Sequence, residues 1–149
     1  MFPESPHRIL VVEDDPNDMR LLQRAMDAAN IDVPVSRLTN GDEAVDYLQG
    51  KPPYDNRKNH PLPTLVLLDL KLPRRSGLEV LAWIRSQPHD LGRTVVVILT
   101  SSQMTVDVRR AYDLRANSYL VKPDNGADLT AIAKELKRYW LGLNIAATV

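Results

Sequence analysis

Three carboxylates, a hydroxyl and an ammonium stand at the ends of four apolar runs in this chain. Glu13-Asp14 follows Arg8-Ile-Leu-Val-Val12, Asp69 follows Leu65-Val-Leu-Leu68, Thr100 closes Thr94-Val-Val-Val-Ile-Leu-Thr100, and Lys122 follows Asn117-Ser-Tyr-Leu-Val121. Brought within a few ångströms, such carboxylates repel, so that one takes a proton or a cation binds among them. The chain has no cysteine and no clustered histidine, and an all-oxygen donor set with an open face favours Mg²⁺, its octahedron completed by waters and a backbone carbonyl. A carboxylate beside Mg²⁺ and a lysine can attack phosphorus, because both cations neutralise charge on the incoming phosphoryl oxygens. Thr100 would give a hydroxyl hydrogen bond to one of those oxygens, and the product would be an aspartyl phosphate on Asp69. Taken singly, each residue has a plainer use: an acid after a strand caps a helix, a strand-end threonine favours β structure, and a lysine before proline is solvated. The weight lies in their conjunction.

The elements that must position these residues are legible as alternating patterns. The run Leu65–Leu68 has no polar alternation and reads as a central parallel strand buried on both faces, with Asp69 at the rim where open α/β sheets place their chemistry. Asp15-Pro16 is a helix start, with Asp15 as cap and Met19, Leu22, Met26 and Ala29 at helical spacing on the inward face. Val33–Arg37 is a weaker strand whose proline suits an edge. Asn40-Gly-Asp-Glu43 opens a second helix with Ala44, Val45 and Leu48 inward, and Ser76-Gly-Leu-Glu79 opens a third that should stop at Gln87, before Pro88. A fourth helix is expected from about Met104 to Leu114, and a last one from about Ala127 to Trp140, with Leu129, Ile132, Ala133, Leu136 and Trp140 on one stripe. Strand and helix alternate five times, which calls for a doubly wound parallel α/β sheet covered on both faces.

Two segments fall outside this rhythm. Residues 50–63 hold four prolines and exceed the ~2–6 residues usual for a helix-to-strand connection, so they read as an exposed insertion that builds no core. The tail 141–149 is unusually apolar, and either folds back on its own domain or packs across a homodimer through the C-terminal helix.

At 149 residues, with 19 basic and 19 acidic side chains, the chain fits one domain with no global field toward nucleic acid or an anionic membrane. There is no apolar leader and no run approaching the ~20 apolar residues of a membrane span. The expectation is a cytoplasmic protein that binds neither nucleic acid nor membrane, with no effector domain after the last helix.

The acidic pair after the first strand, Asp69-Leu-Lys-Leu-Pro73-Arg-Arg-Ser-Gly77, the Thr100-Ser-Ser turn and Tyr119-Leu-Val-Lys122-Pro123 together resemble the receiver domain of two-component response regulators. The resemblance runs from about Arg8 to Trp140. It implies a flavodoxin-like (βα)5 fold with strand order 2-1-3-4-5 and a single receiver domain over 1–149. Within that family pattern Asp69 is the phosphoacceptor and Asp14 a direct Mg²⁺ ligand. Glu13 acts through metal-bound water, and the carbonyl of Lys71 is a further ligand. Lys122 holds the phosphoryl group, while Thr100 and Tyr119 form a switch pair. The implied partners are a sensor histidine kinase and a downstream protein target or phosphotransfer protein, and the only catalysis is of the domain's own phosphorylation and dephosphorylation. The proline-rich insertion, the Leu-Lys-Leu after Asp69 and the ending Lys137-Arg-Tyr-Trp-Leu141 are most similar to the single-domain regulators of bacterial phytochromes. One departure stands out. Many receivers have Gly where Arg115 stands, in a left-handed turn that costs a non-Gly residue on the order of 1 kcal/mol, so this turn is expected to differ.

The rival reading is a metal-dependent aspartyl-phosphate phosphatase or phosphotransferase. Hydrolases of the haloacid-dehalogenase type want a second Asp two residues after the nucleophile, and Lys71 occupies that place. A nucleotide-binding module would need GxGxxG or GxxxxGK[ST] after the first strand, and neither occurs.

Overall fold

The structure, a computed structural model, describes residues 5–147. Five parallel strands, β1 (Ile9–Val12), β2 (Val35–Leu38), β3 (Leu65–Leu68), β4 (Val95–Thr100) and β5 (Ser118–Val121), form one sheet in the order β2-β1-β3-β4-β5. The helices are α1 (Pro16–Ala28), α2 (Gly41–Gln49), α3 (Gly77–Ser86), α4 (Thr105–Asp113) and α5 (Gly126–Arg138). This is the doubly wound, flavodoxin-like α/β fold that the alternation calls for. Every residue of β1, β3 and β4 is buried, which is why those runs carry no polar alternation. Alternate strand residues feed two cores. Ile9, Val11, Leu65, Leu67, Val97 and Leu99 pack with Leu22, Met26, Leu129 and Ala133 of α1 and α5. Leu10, Val12, Val66, Leu68, Val96 and Ile98 pack with α2, α3 and Ala111 of α4.

The caps fall where the sequence places them. Asp15 accepts from the amides of Asn17 and Asp18, Asn40 from that of Glu43, and Ser76 from that of Glu79. Gly77, at the first position of α3, is required by packing: a Cβ there would lie 2.0 Å from the carbonyl oxygen of Asp69. Helix α4 is anchored far more lightly, with Ala111 its one buried residue and no side-chain cap at Met104.

Three expectations are corrected. The insertion at 50–63 is largely exposed, but it also contributes to the packing, because its side chains find partners at the end of α2. Arg57 donates to the carbonyls of Tyr47 (2.7 Å), Leu48 (2.9 Å) and His60 (3.2 Å), adding to the cap bond from the Gly50 amide to Tyr47 where α2 ends at left-handed Gly50. The His60 ring meets buried Tyr47 and Tyr54 edge-on, and Tyr54 lies tilted at 51° against Tyr47, with centroids 5.3–5.8 Å apart. The turn after α4 keeps the left-handed geometry despite Arg115, at φ 67°. Its cost is offset by Arg85, whose guanidinium donates to the carbonyls of Arg115 (3.0 Å), Gly92 (3.1 Å) and Thr94 (2.7 Å) and to Asn117 Oδ1 (2.9 Å). Arg115 returns a bond to the Arg85 carbonyl at 3.2 Å. Finally, the regular helix stops at Arg138, two residues short of Trp140, and widens into a π-turn over Tyr139–Leu143, in which the Asn144 amide reaches the Tyr139 carbonyl at 2.7 Å.

The tail folds back in part. Trp140 and Leu141 pack against the α1/α5 core and Ala146 is buried, while Leu143 and Ile145 are 69% and 92% exposed. Its last two residues, 148 and 149, lie outside the described residues.

Candidate functional site

Strand register sets the site. Val12 pairs with Leu68, and Thr100 with Val121, so the residues just past the strands emerge side by side at the carboxyl edge. The ladder continues one step into them: Glu13 N–H donates to Leu38 O (3.0 Å), Asp69 N–H to Val12 O (3.1 Å) and Lys122 N–H to Thr100 O (2.8 Å). Their main chains are therefore fixed by the sheet itself.

The Lys122 ammonium is the hub. It donates to Glu13 Oε1 in a very short contact, to Asp18 Oδ2 at 2.8 Å and to Asp69 Oδ2 at 2.9 Å. The other Glu13 oxygen accepts from the Asp15 amide (3.1 Å), and Asp69 Oδ1 accepts from the Lys71 amide (3.3 Å). Glu13 and Asp69 are buried and Asp14 is exposed. One carboxylate oxygen from each of the three lies within 4.8 Å of the others. All are hard oxygen donors with one open side, and the set fits a divalent cation.

Burial is the main reason the Glu13 carboxyl is pushed up to about 7. The Asp69 charge adds to the rise, against the lowering pull of Lys122 and the Asp15 amide. Burial also works to lower the pKa of Lys122, but the hydrogen bonds to Asp18, Glu13 and Asp69 outweigh it and hold the ammonium above the usual lysine range. A carboxyl whose folded pKa is raised binds more protons folded than unfolded, so its stabilisation is complete below the unfolded value of about 4.5 and is lost as pH rises through about 7. For the metal-free protein, Glu13→Gln should therefore gain stability relative to the native chain as pH climbs through that window, measured by denaturant unfolding in chelator. A difference independent of pH would contradict the assignment.

Thr100 is wholly buried, and its hydroxyl has no hydrogen-bond partner among the described residues. A buried donor without an acceptor costs free energy, and an arriving phosphoryl oxygen would supply one. The half-buried Tyr119 donates its hydroxyl to the Ser102 carbonyl at 2.9 Å, and its pKa is raised, chiefly by burial. Ser102 in turn donates to Asp107 Oδ2 at 2.5 Å and accepts from the Met104 amide at 3.3 Å, linking the end of β4 to the first turn of α4.

Of the residues singled out from sequence, Glu13, Asp14, Asp69 and Lys122 converge, Lys71 joins through its amide, and Thr100 and Tyr119 flank the β4–α4 turn. Asp18 and Ser102 were missed. Asp18 lies one helical turn beyond the Asp14-Asp15 pair, and that spacing is the only signal pointing to it. Ser102 carries no signal beyond its place in the Thr100-Ser-Ser turn.

A family model for the response regulator receiver domain matches residues 9–134. Response regulator Rcp1 of Synechocystis sp. is 41% identical over 136 residues, 91% of this chain and 90% of that protein. The probable methanogenesis regulatory protein FilR2 of Methanothrix harundinacea is 40% identical over 141 residues, 95% of this chain and 88% of its own. Among solved structures, the Mn²⁺-bound form of Rcp1 superposes with a TM-score of 0.83 at 40% identity, over 95% of this chain and 99% of that one. The phosphorylated cyanobacterial phytochrome response regulator RcpA does so at 0.86 and 37% identity, over 94% and 97%. Among the described residues, no helix is long and apolar enough to cross a membrane.

Proposed function

This chain belongs to the response regulator receiver family of two-component signalling, and from that premise we propose that it takes a phosphoryl group from a phosphohistidine of a sensor kinase onto Asp69. The observation that carries the reading is the convergence on Asp69 of an ammonium from β5 and two carboxylates from β1. In the transfer, an Asp69 carboxylate oxygen forms the new P–O bond as the P–N bond of the donor histidine breaks, and the imidazole leaves with that bond's electron pair. Lys122 neutralises charge on the transferred group, and the Thr100 hydroxyl donates to one of its oxygens. Glu13, Asp14 and Asp69, with the Lys71 carbonyl, would hold Mg²⁺, which supplies further neutralisation of the phosphoryl oxygens when bound. Tyr119 and Thr100 act as the switch pair that passes occupancy of the site to α4. In this reading the protein catalyses only its own phosphorylation and dephosphorylation. The place two residues after the nucleophile, where the rival phosphatase would carry its acid–base Asp, is Lys71.

The proposal extends to a single receiver domain acting alone in the cytoplasm, served by a bacteriophytochrome-type kinase and passing its signal to a protein target or phosphotransfer protein. The likeness to RcpA, a phytochrome response regulator, supports that pairing. Acetyl phosphate with Mg²⁺ followed by peptide mapping tests the core of the proposal. A single base-labile adduct on Asp69 is expected, and labelling on another residue would overturn it.

A homodimer through α5 and the tail belongs to the same proposal, supported by exposed Leu143 and Ile145 beside the half-buried Trp140. Sedimentation of the whole chain should show self-association that is lost in a chain ending at Tyr139. Monomers in both would remove the dimer.

A further inference from the structure

Asp18 is the one carboxylate on Lys122 that the cation nest does not include. It occupies the third position of α1, where the Asp15 side chain accepts from its amide at 3.1 Å. Its oxygen meets the ammonium at 2.8 Å. Lys122 has three N–H donors, and all three are committed, to Glu13, Asp18 and Asp69.

That allocation bears on what happens when the site is loaded. A divalent cation among Glu13, Asp14 and Asp69 competes with Lys122 for two of its three partners and repels the ammonium as a like charge. Asp18 alone stays available to hold it. An ammonium kept at Asp18 and released from Glu13 has a free N–H for a phosphoryl oxygen. One with no such anchor is driven outward as the cation enters. Resting on the phosphoacceptor reading above, we infer that Asp18 is a positioning residue: it retains the Lys122 ammonium beside Asp69 while metal and phosphoryl group bind.

The sign of the effect separates this role from a bulk charge effect. Deleting a negative charge near a site that takes an anion should, by Coulomb attraction alone, strengthen anion binding. Positioning predicts the opposite. The experiment measures the affinity of beryllofluoride, a phosphoryl mimic, for the whole chain in saturating Mg²⁺. Asp18→Asn should weaken binding roughly fivefold, the scale of one partly exposed ion pair. Asp18→Glu, which keeps a carboxylate within reach, should restore most of it. In a Lys122→Ala background Asp18→Asn should have no further effect, as a cycle acting through one shared partner requires. A readout without metal accompanies these: the side-chain ¹⁵N signal of Lys122 should shift in Asp18→Asn and return toward the native position in Asp18→Glu.

Unchanged or tighter beryllofluoride binding in Asp18→Asn, or a loss that persists in the Lys122→Ala background, would overturn the positioning role. Failure of the unmodified chain to bind beryllofluoride or to be labelled at Asp69 would overturn the phosphoacceptor reading instead, so the two outcomes are told apart.

Discussion

Replacing Asp69 with Asn is expected to abolish phosphoryl uptake from acetyl phosphate and from a kinase while leaving the fold intact. An amide is isosteric with the carboxyl group. Its oxygen still accepts from the Lys71 amide or from Lys122, where Asp69 makes contacts of 3.3 and 2.9 Å. The nucleophile is removed and the packing is not. Loss of label should therefore be complete, with an unfolding midpoint within a few degrees of the native chain's, measured by intact mass and thermal denaturation together. Base-labile phosphate persisting on Asp69→Asn at the native level would refute the acceptor assignment.

Lys122→Ala carries the second large effect, in stability as well as function. The Lys122 side chain is 16% exposed, and its ammonium neutralises the carboxylates of Glu13 and Asp69, whose side chains are 5% and 8% exposed. Without it those carboxylates face each other and Asp18 with no counter-charge. Removing one partner of a buried ion pair costs about 3–5 kcal/mol, and the open side of this site reduces that to roughly 2–3 kcal/mol. Mg²⁺ should recover most of the loss, because the carboxylates that hold it remain. Denaturant unfolding in chelator and in Mg²⁺ checks both halves. A variant equally stable in the two conditions would contradict the arrangement. Phosphoryl-mimic binding should stay weak even with metal, and the Tyr119 resonances should no longer respond to it.

Much of this site was legible in the chain because parallel strands turn linear order into spatial order. Apolar runs ending in Glu13, Asp69, Thr100 and Lys122 had to deliver those residues to one edge once the alternation of strand and helix was recognised. The helix caps at Asp15, Asn40 and Ser76 were legible for a local reason, since each side chain bonds to an amide two or three residues on. Asp18 escaped because its contact with Lys122 depends on how α1 is rotated against the sheet, and sequence periodicity gives that only to within a face. The packing of residues 50–63 was missed for a related reason. Tyr54 and Arg57 look like loop residues until Tyr47 and the last carbonyls of α2 are known to lie beneath them. Arg115 shows the limit of a local rule, because four bonds from Arg85, thirty positions away, hold that turn and its surroundings in place.

The close approach of Gly77 to the Asp69 carbonyl has a mechanical consequence. With the start of α3 seated against it, the main chain of Asp69 has little room to shift toward that helix. In the proposed phosphorylation, the side left to respond would be the lightly moored α4, which buries only Ala111 and has no side-chain cap.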